Sequence, residues 1–218
     1  MLHVPPLAST DSSPLSARGL CFGYADEDVL HDVSAAFRAG AVTAVTGPNG
    51  SGKSTLVELL AGVRTPRRGA VERHGRIALV VQRPSVPDAL PVTVHDVVAI
   101  GTWARGARRS DRRADRQGAI AEAIDRVGLN GLERRTFSEL SGGQRQRALL
   151  AQGVVQRTEI LLLDEPAAGL DAASRQRTRE ILAEEAARGA TIVCVTHDEE
   201  SIAAADHVIR LEAGRTVG

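Results

Sequence analysis

The sequence predicts an α/β fold in which a mostly parallel β-sheet is flanked by helices, and three observations predict it. Apolar runs at Ala41–Thr46, Ile77–Gln82, Ile160–Asp164, Thr191–Thr196 and Val208–Leu211 are mostly continuous rather than alternating, as in strands buried on both faces of a parallel sheet. Segments of helical patterning lie between them. The core has few rings to build with, since the 218 residues include three Phe, one Tyr and one Trp. Ala, Val, Leu and Ile must fill it. The length suits one compact unit with subdomains.

Taken in order, residues 1–16 are rich in Pro, Ser and Thr and read as a flexible tail. They lack the basic stretch and apolar run of a secretion signal. Leu20–Tyr24 and Val33–Arg38 are short strands. The strand Ala41–Thr46 leads into a Gly-rich turn, after which Lys53–Ala61 is a helix that should end near Gly62. From about residue 84 to 150 the character changes. Thr93 with Asp96 three residues on resembles a capping box opening a helix through Ile100. Ala119, Ile120, Ala123, Ile124 and Val127 make one apolar helix face that Gly128 stops. The expected organisation is a domain over 17–218, with a core of 17–83 and 151–218 and a helical insertion at about 84–150. Six arginines between Arg105 and Arg116 read as a solvated face, with partner or lipid contact as the alternative. Ala172–Arg188 is a helix that closes at Gly189.

Composition excludes little but points one way. There are 27 basic and 27 acidic residues, so no global field draws the chain to nucleic acid or an acidic membrane, and no nucleic-acid partner is expected. No eighteen apolar residues run together, so a soluble, cytoplasmic protein is expected. Cys21 and Cys194 are far apart in apolar runs and are expected to be buried free thiols. His74, His95 and His207 are scattered without ligand spacing, which favours surface or packing roles.

Of the 27 basic residues only Lys53 is lysine. It stands in the run Gly47-Pro48-Asn49-Gly50-Ser51-Gly52-Lys53-Ser54-Thr55, which fits the phosphate-binding spacing GxxxxGK[ST]. In such a loop, backbone N–H groups cradle phosphates and the hydroxyl after lysine serves Mg²⁺. A compact ammonium on a flexible stem enters the gap that a planar guanidinium cannot. The same run alone would suit kinases, GTPases and many ATPases.

Further motifs narrow the choice. Leu140-Ser141-Gly142-Gly143-Gln144 matches the signature of ABC-type ATPases letter for letter. Ile160–Leu163 followed by Asp164-Glu165-Pro166 resembles their Walker B strand, Ala168-Gly169-Leu170-Asp171 their D-loop, and Thr196-His197-Asp198 their switch histidine. Gln82 falls where the family has its Q-loop glutamine, and Tyr24 where it has an aromatic that stacks on adenine. The chain thus resembles a free-standing ATP-binding subunit of an ABC transporter over nearly everything after residue 16. The D-loop departs slightly, with Ala168-Gly169 where many relatives have serine-alanine, as do Gln152 and Gly153, where arginine and alanine are common.

The resemblance implies a P-loop, RecA-like sheet with an antiparallel β subdomain and an inserted α-helical subdomain. It implies ATP and Mg²⁺ as ligands. Lys53 would neutralise the β- and γ-phosphates, Ser54, Asp164 and Gln82 would serve the metal, Glu165 would be the general base with its proton affinity raised by a like charge, and His197 would orient the γ-phosphate. Ser141, Gly142, Gly143 and Gln144, at a helix N-terminus, would close on ATP held by the opposite subunit of a head-to-tail homodimer, with Asp171 beside them. Integral membrane permease subunits would be direct partners and an extracytoplasmic binding protein an indirect one, with the chain peripheral on the inner face of the membrane. The stretch Val81-Gln82-Arg83-Pro84-Ser85-Val86-Pro87, then Leu90–Val98 with Pro91-Val92-Thr93-Val94 and Gly101, resembles the zinc/manganese importer branch. Siderophore or cobalamin import and export are the alternatives of the same chemistry, and a factor acting on nucleic acid or ribosomes is the alternative of a different class.

Overall fold

A computed structural model describes residues 13–24, 27–81, 91–103 and 113–217. Among these are nine strands and six α-helices. Three strands form an antiparallel sheet with β1 (Leu15–Tyr24) between β2 (Glu27–Phe37) and β4 (Arg68–Arg73). The other six make one sheet. Its order is β5 (Ile77–Val80), β6 (Ile160–Asp164), β7 (Thr191–Val195), β3 (Val42–Thr46), β8 (His207–Glu212) and β9 (Arg215–Val217). Neighbours run parallel except the β8–β9 pair. The expected α/β class and mostly parallel sheet are therefore present, with a separate antiparallel layer.

The continuous apolar runs have a plain cause. Successive side chains on a strand point to opposite faces, and both faces of this sheet are covered. Ile160 and Leu162 of β6 enter one hydrophobic cluster while Leu161 and Leu163 enter the other. On β7, Val193 and Val195 join the first and Ile192 and Cys194 the second. The first cluster gathers β1, β2 and α1 (Lys53–Ala61), the second gathers α2 (Val94–Gly101), α3 (Arg113–Arg126), α4 (Gly142–Val154) and α5 (Ala172–Ala187). Together they supply the transfer free energy that offsets chain entropy.

Helix ends follow local chemistry. Gly62 adopts φ 78° and its N–H caps α1 through the carbonyls of Glu58 and Leu59, which is the left-handed cap glycine favours. Thr93 caps α2 and pairs reciprocally with Asp96. α5 ends at Ala187, with Arg188 as its cap and Gly189 at φ 95°. α2 lies close on α4, for a Cβ added to Gly101 would stand 2.2 Å from the carbonyl oxygen of Gln152.

Four features differ from expectation. β4 and β9 have no apolar run, because β4 is an outer strand of its sheet with nearly every residue exposed and β9 closes the other sheet as its exposed edge. β1 begins at Leu15 and β2 at Glu27, earlier than apolar content alone suggests, since pairing with a neighbour extends each strand through polar residues. β5 ends at Val80, short of Gln82. Both cysteines are free, but Cys21 is only half-buried, its sulfur accepting from the Asp32 N–H. No described helix is long and apolar enough to cross a membrane.

Candidate functional site

Three adjacent parallel strands, β6, β7 and β3, deliver the site at their carboxyl ends, where ligands of open α/β sheets bind. β3 ends at Thr46 and turns through Gly47–Gly52 into α1, β6 ends on Asp164 with Glu165 next, and β7 is followed by Thr196 and His197. The turn is tight enough to demand glycine. A Cβ on Gly47 would come 2.0 Å from the carbonyl oxygen of Leu211, and one on Gly52 would meet Leu30 Cδ2 at 2.5 Å. Pro48, Asn49 and Gly50 stand exposed at the crest, while Ser51 and Gly52 are buried beneath.

Lys53 is only 6% exposed. Its ammonium donates to the carbonyls of Gly47 at 2.9 Å and Pro48 at 2.8 Å, so it lies inside the turn. Burial lowers its pKa, and the nearby Glu165 and Asp164 carboxylates oppose that shift. The Ser51 hydroxyl is buried without a hydrogen-bond partner among the described residues. A buried polar atom of this kind is costly unless a ligand or water satisfies it. Together with the exposed crest and the free N–H groups of the first turn of α1, these features fit a polyphosphate.

Ser54 stands beside the Asp164 carboxylate, close enough for its hydroxyl to favour the charged form, so the two residues expected at the metal stand together. Burial is the main cause that raises the Asp164 pKa, with Glu165 adding to it and Ser54 and Lys53 opposing it. Two hard oxygen donors beside a phosphate loop fit Mg²⁺, which dehydrates reluctantly and takes few protein ligands. Glu165 follows with φ 51°, unusual for a residue with a side chain and a form of strain that collects at functional sites. Its N–H donates to Val195 O at 3.0 Å, and its Oε1 lies 2.9 Å from His197 Nε2. Glutamate and switch histidine are therefore in direct contact.

Tyr24 lies beside the phosphate loop, its hydroxyl 3.4 Å from Thr55 Oγ1. It is 43% exposed, with Phe22 edge-on to it and the Arg64 guanidinium 4.7 Å above its ring. The signature sits elsewhere. Ser141 caps α4, accepting from Gln144 N, while Gln144 Oε1 accepts from Ser141 N at 2.9 Å. Ser141 and Gly142 are exposed ahead of that helix. Asp171 caps α5 through Ser174 N at 2.7 Å, and hydrogen bonding by Ser174 holds its carboxyl below the ordinary value.

The structure thus brings together Gly47–Thr55, Asp164, Glu165, His197 and Tyr24. It keeps the signature apart, on a helix of the other hydrophobic cluster. Gln82 lies outside the described residues, as do 1–12 and most of the arginine-rich stretch. Gln144 was expected at the signature but not as part of a helix cap, and Gln146, Arg175 and Arg179 were not read from sequence. Gln144 spends its amide on a capping box, which its spacing of three from Ser141 signals. Gln146 is buried and its amide approaches Glu165 O at 3.5 Å. Arg175 and Arg179 both face Asp198, pairings that no local pattern announces.

A family model described as ABC transporter matches residues 30–168. The chain belongs to the ABC transporter family. It is an ATP-binding subunit of that family, whose ATP-binding subunits are ATPases. The hemin import ATP-binding protein HmuV of Streptomyces coelicolor is 38% identical over 225 residues, 97% of this chain and 79% of that protein. The manganese transport system ATP-binding protein MntB of Listeria innocua serovar 6a is 35% identical over 199 residues, 87% of this chain and 82% of that protein. A solved ABC transporter in an inward-facing conformation superposes with a TM-score of 0.81 at 32% identity, covering 94% of this chain and 82% of that one.

Proposed function

We propose that this ABC subunit hydrolyses ATP to drive import of a divalent metal ion of the zinc or manganese kind. The carrying observation is the Glu165–His197 contact on the strand ends next to Lys53 and the Ser54–Asp164 pair. In this reading the Gly47–Thr55 turn wraps the triphosphate, Lys53 offsets its charge and Tyr24 stacks on adenine. Glu165 takes the proton of the attacking water and His197 holds the γ-phosphate in line. Ser54 and Asp164 would hold Mg²⁺, with Gln82 as a further ligand; the ion supplies charge neutralisation on the phosphate oxygens. Little covalent work falls to the protein, and positioning with charge stabilisation supplies the rate.

The exposed Ser141–Gly143 turn offers a second anion site at a helix N-terminus. It belongs to a different layer from the phosphate loop, which supports a head-to-tail pair of chains sharing two ATP molecules. Permease subunits in the membrane and, through them, an extracytoplasmic binding protein complete the assembly, placing this chain on the inner membrane face. Cargo is supported by the Leu90–Gly101 stretch and the MntB likeness. The HmuV likeness favours a second reading, import of a metal chelate such as hemin.

The test uses the chain purified with its permease and reconstituted in vesicles with the binding protein. ATP-dependent accumulation of Zn²⁺ or Mn²⁺ over hemin is expected. Hemin uptake without either ion establishes the second reading, and uptake without hydrolysis removes both.

A further inference from the structure

Arg175, on the first turn of α5, spans two motifs. Its Nη1 donates to the carbonyl of Leu170 at 2.8 Å, and its Nε stands 3.5 Å from Oδ1 of Asp198. Leu170 immediately precedes Asp171, and Asp198 immediately follows His197. Both ends are well held. Leu170 is buried against the signature, where a Cβ on Gly143 would stand 3.2 Å from its Cδ2. Asp198 caps α6 (Glu199–Ala203), accepts from Ser201 N at 2.9 Å and Ser201 Oγ at 2.6 Å, and is approached by Arg179 Nη1 at 3.2 Å. A single planar guanidinium therefore links the segment carrying Leu170 and Asp171, against which Gly143 packs, to the segment carrying His197.

We propose that Arg175 is a positioning residue for hydrolysis, setting the His197–Glu165 geometry according to where the Asp171 loop and signature helix lie. The guanidinium is rigid and charged, so a shift of the Leu170 carbonyl moves the charge that faces Asp198 as an ion pair at 3.5 Å. A lysine ammonium carries its three donors on one nitrogen, too compact to span both partners as the guanidinium does. The inference rests on the head-to-tail reading above, in which Ser141–Gly143 and Asp171 meet a nucleotide of the opposite chain. Occupancy of one nucleotide site is then felt at the histidine of the other.

The test is steady-state hydrolysis by the full chain with Mg²⁺ and ATP, for Arg175→Met, Arg175→Lys, Asp198→Asn and the Arg175→Met/Asp198→Asn double variant. Asparagine remains a good helix cap, so Asp198→Asn removes the charge and keeps α6. The expected result is a fall in kcat of about tenfold in each single variant with KM for ATP within about twofold, and a double variant no slower than the slower single, because contacting residues couple. Melting midpoints close to the wild type separate positioning from loss of fold. An unchanged kcat in the Arg175 variants, or losses that multiply in the double variant, overturns the proposal. Should Arg175→Met not fold, Arg175→Lys decides alone on the same kcat criterion. A wild-type chain that binds no ATP overturns this inference together with the proposed function, whereas normal wild-type hydrolysis with Arg175 variants at wild-type rate overturns the inference only.

Discussion

Nε2 of His197 stands 2.9 Å from Oε1 of Glu165, and the two residues lie just beyond the ends of neighbouring parallel strands whose register pairs Asp164 with Val195. The Glu165 backbone is tied across to β7 as well, its N–H donating to Val195 O. Glu165 and His197 are thus set down by the ends of the two strands they follow. Removing the carboxylate charge at Glu165 should spare nucleotide binding and stop turnover. Glu165→Gln is expected to bind ATP as the wild type does, to accumulate as a dimer with ATP on gel filtration, and to release phosphate at least about a hundredfold more slowly. Rapid steady-state phosphate release would remove Glu165 from the role of base.

Lys53 is nearly buried, its ammonium held by the carbonyls of Gly47 and Pro48, a fit for a compact head group rather than a planar guanidinium. Lys53→Arg keeps the charge but is expected to weaken ATP binding and lower kcat/KM by about a hundredfold or more. Titration with a fluorescent ATP analogue alongside phosphate release separates the two effects. Wild-type values for both would show that the gap accepts a guanidinium.

Asp164 carries an unfavourable charge when the chain is folded. Its pKa is raised above the ordinary 3.8, chiefly by burial, so the folded state holds its proton more tightly than the unfolded state. Stability from that proton is complete below 3.8 and is lost as pH rises through the higher folded value. Asp164→Asn abolishes this loss. The variant is expected to melt higher than the wild type at pH 7 and by a smaller margin near pH 4, while its Mg²⁺-dependent hydrolysis falls steeply. Equal melting temperatures at both values would remove the burial argument.

Gly101 has no room for a side chain, since its Cβ would meet the backbone oxygen of Gln152 rather than a movable group. Gly101→Ala is expected to cost about 1–3 kcal/mol as α2 is pushed from α4. Thermal unfolding reads this directly, and an unchanged midpoint would show that the two helices separate freely.

Much of this was legible in the chain. Ile160–Asp164 is the strand the apolar run marks, because residues buried on both faces leave an unbroken signal. Gly62 and Gly189 mark helix ends, because a left-handed cap has a residue of its own. β4 and β9 were illegible since edge strands are specified by their neighbours' backbone, not by apolar content. The positions around the phosphate loop were readable because covalent proximity keeps their spacing. Arg175 was not, for its partner Asp198 is brought to it by the rest of α5 and by β7, and among 26 arginines composition singles out none.

The central strands serve two bodies at once, odd and even side chains being committed to opposite layers. The helix behind the phosphate loop roots in one layer and the helix behind Ser141 in the other. A substitution in one layer can therefore leave the packing of the other untouched, so the helix carrying Lys53 and the helix carrying Ser141 answer to separate cores.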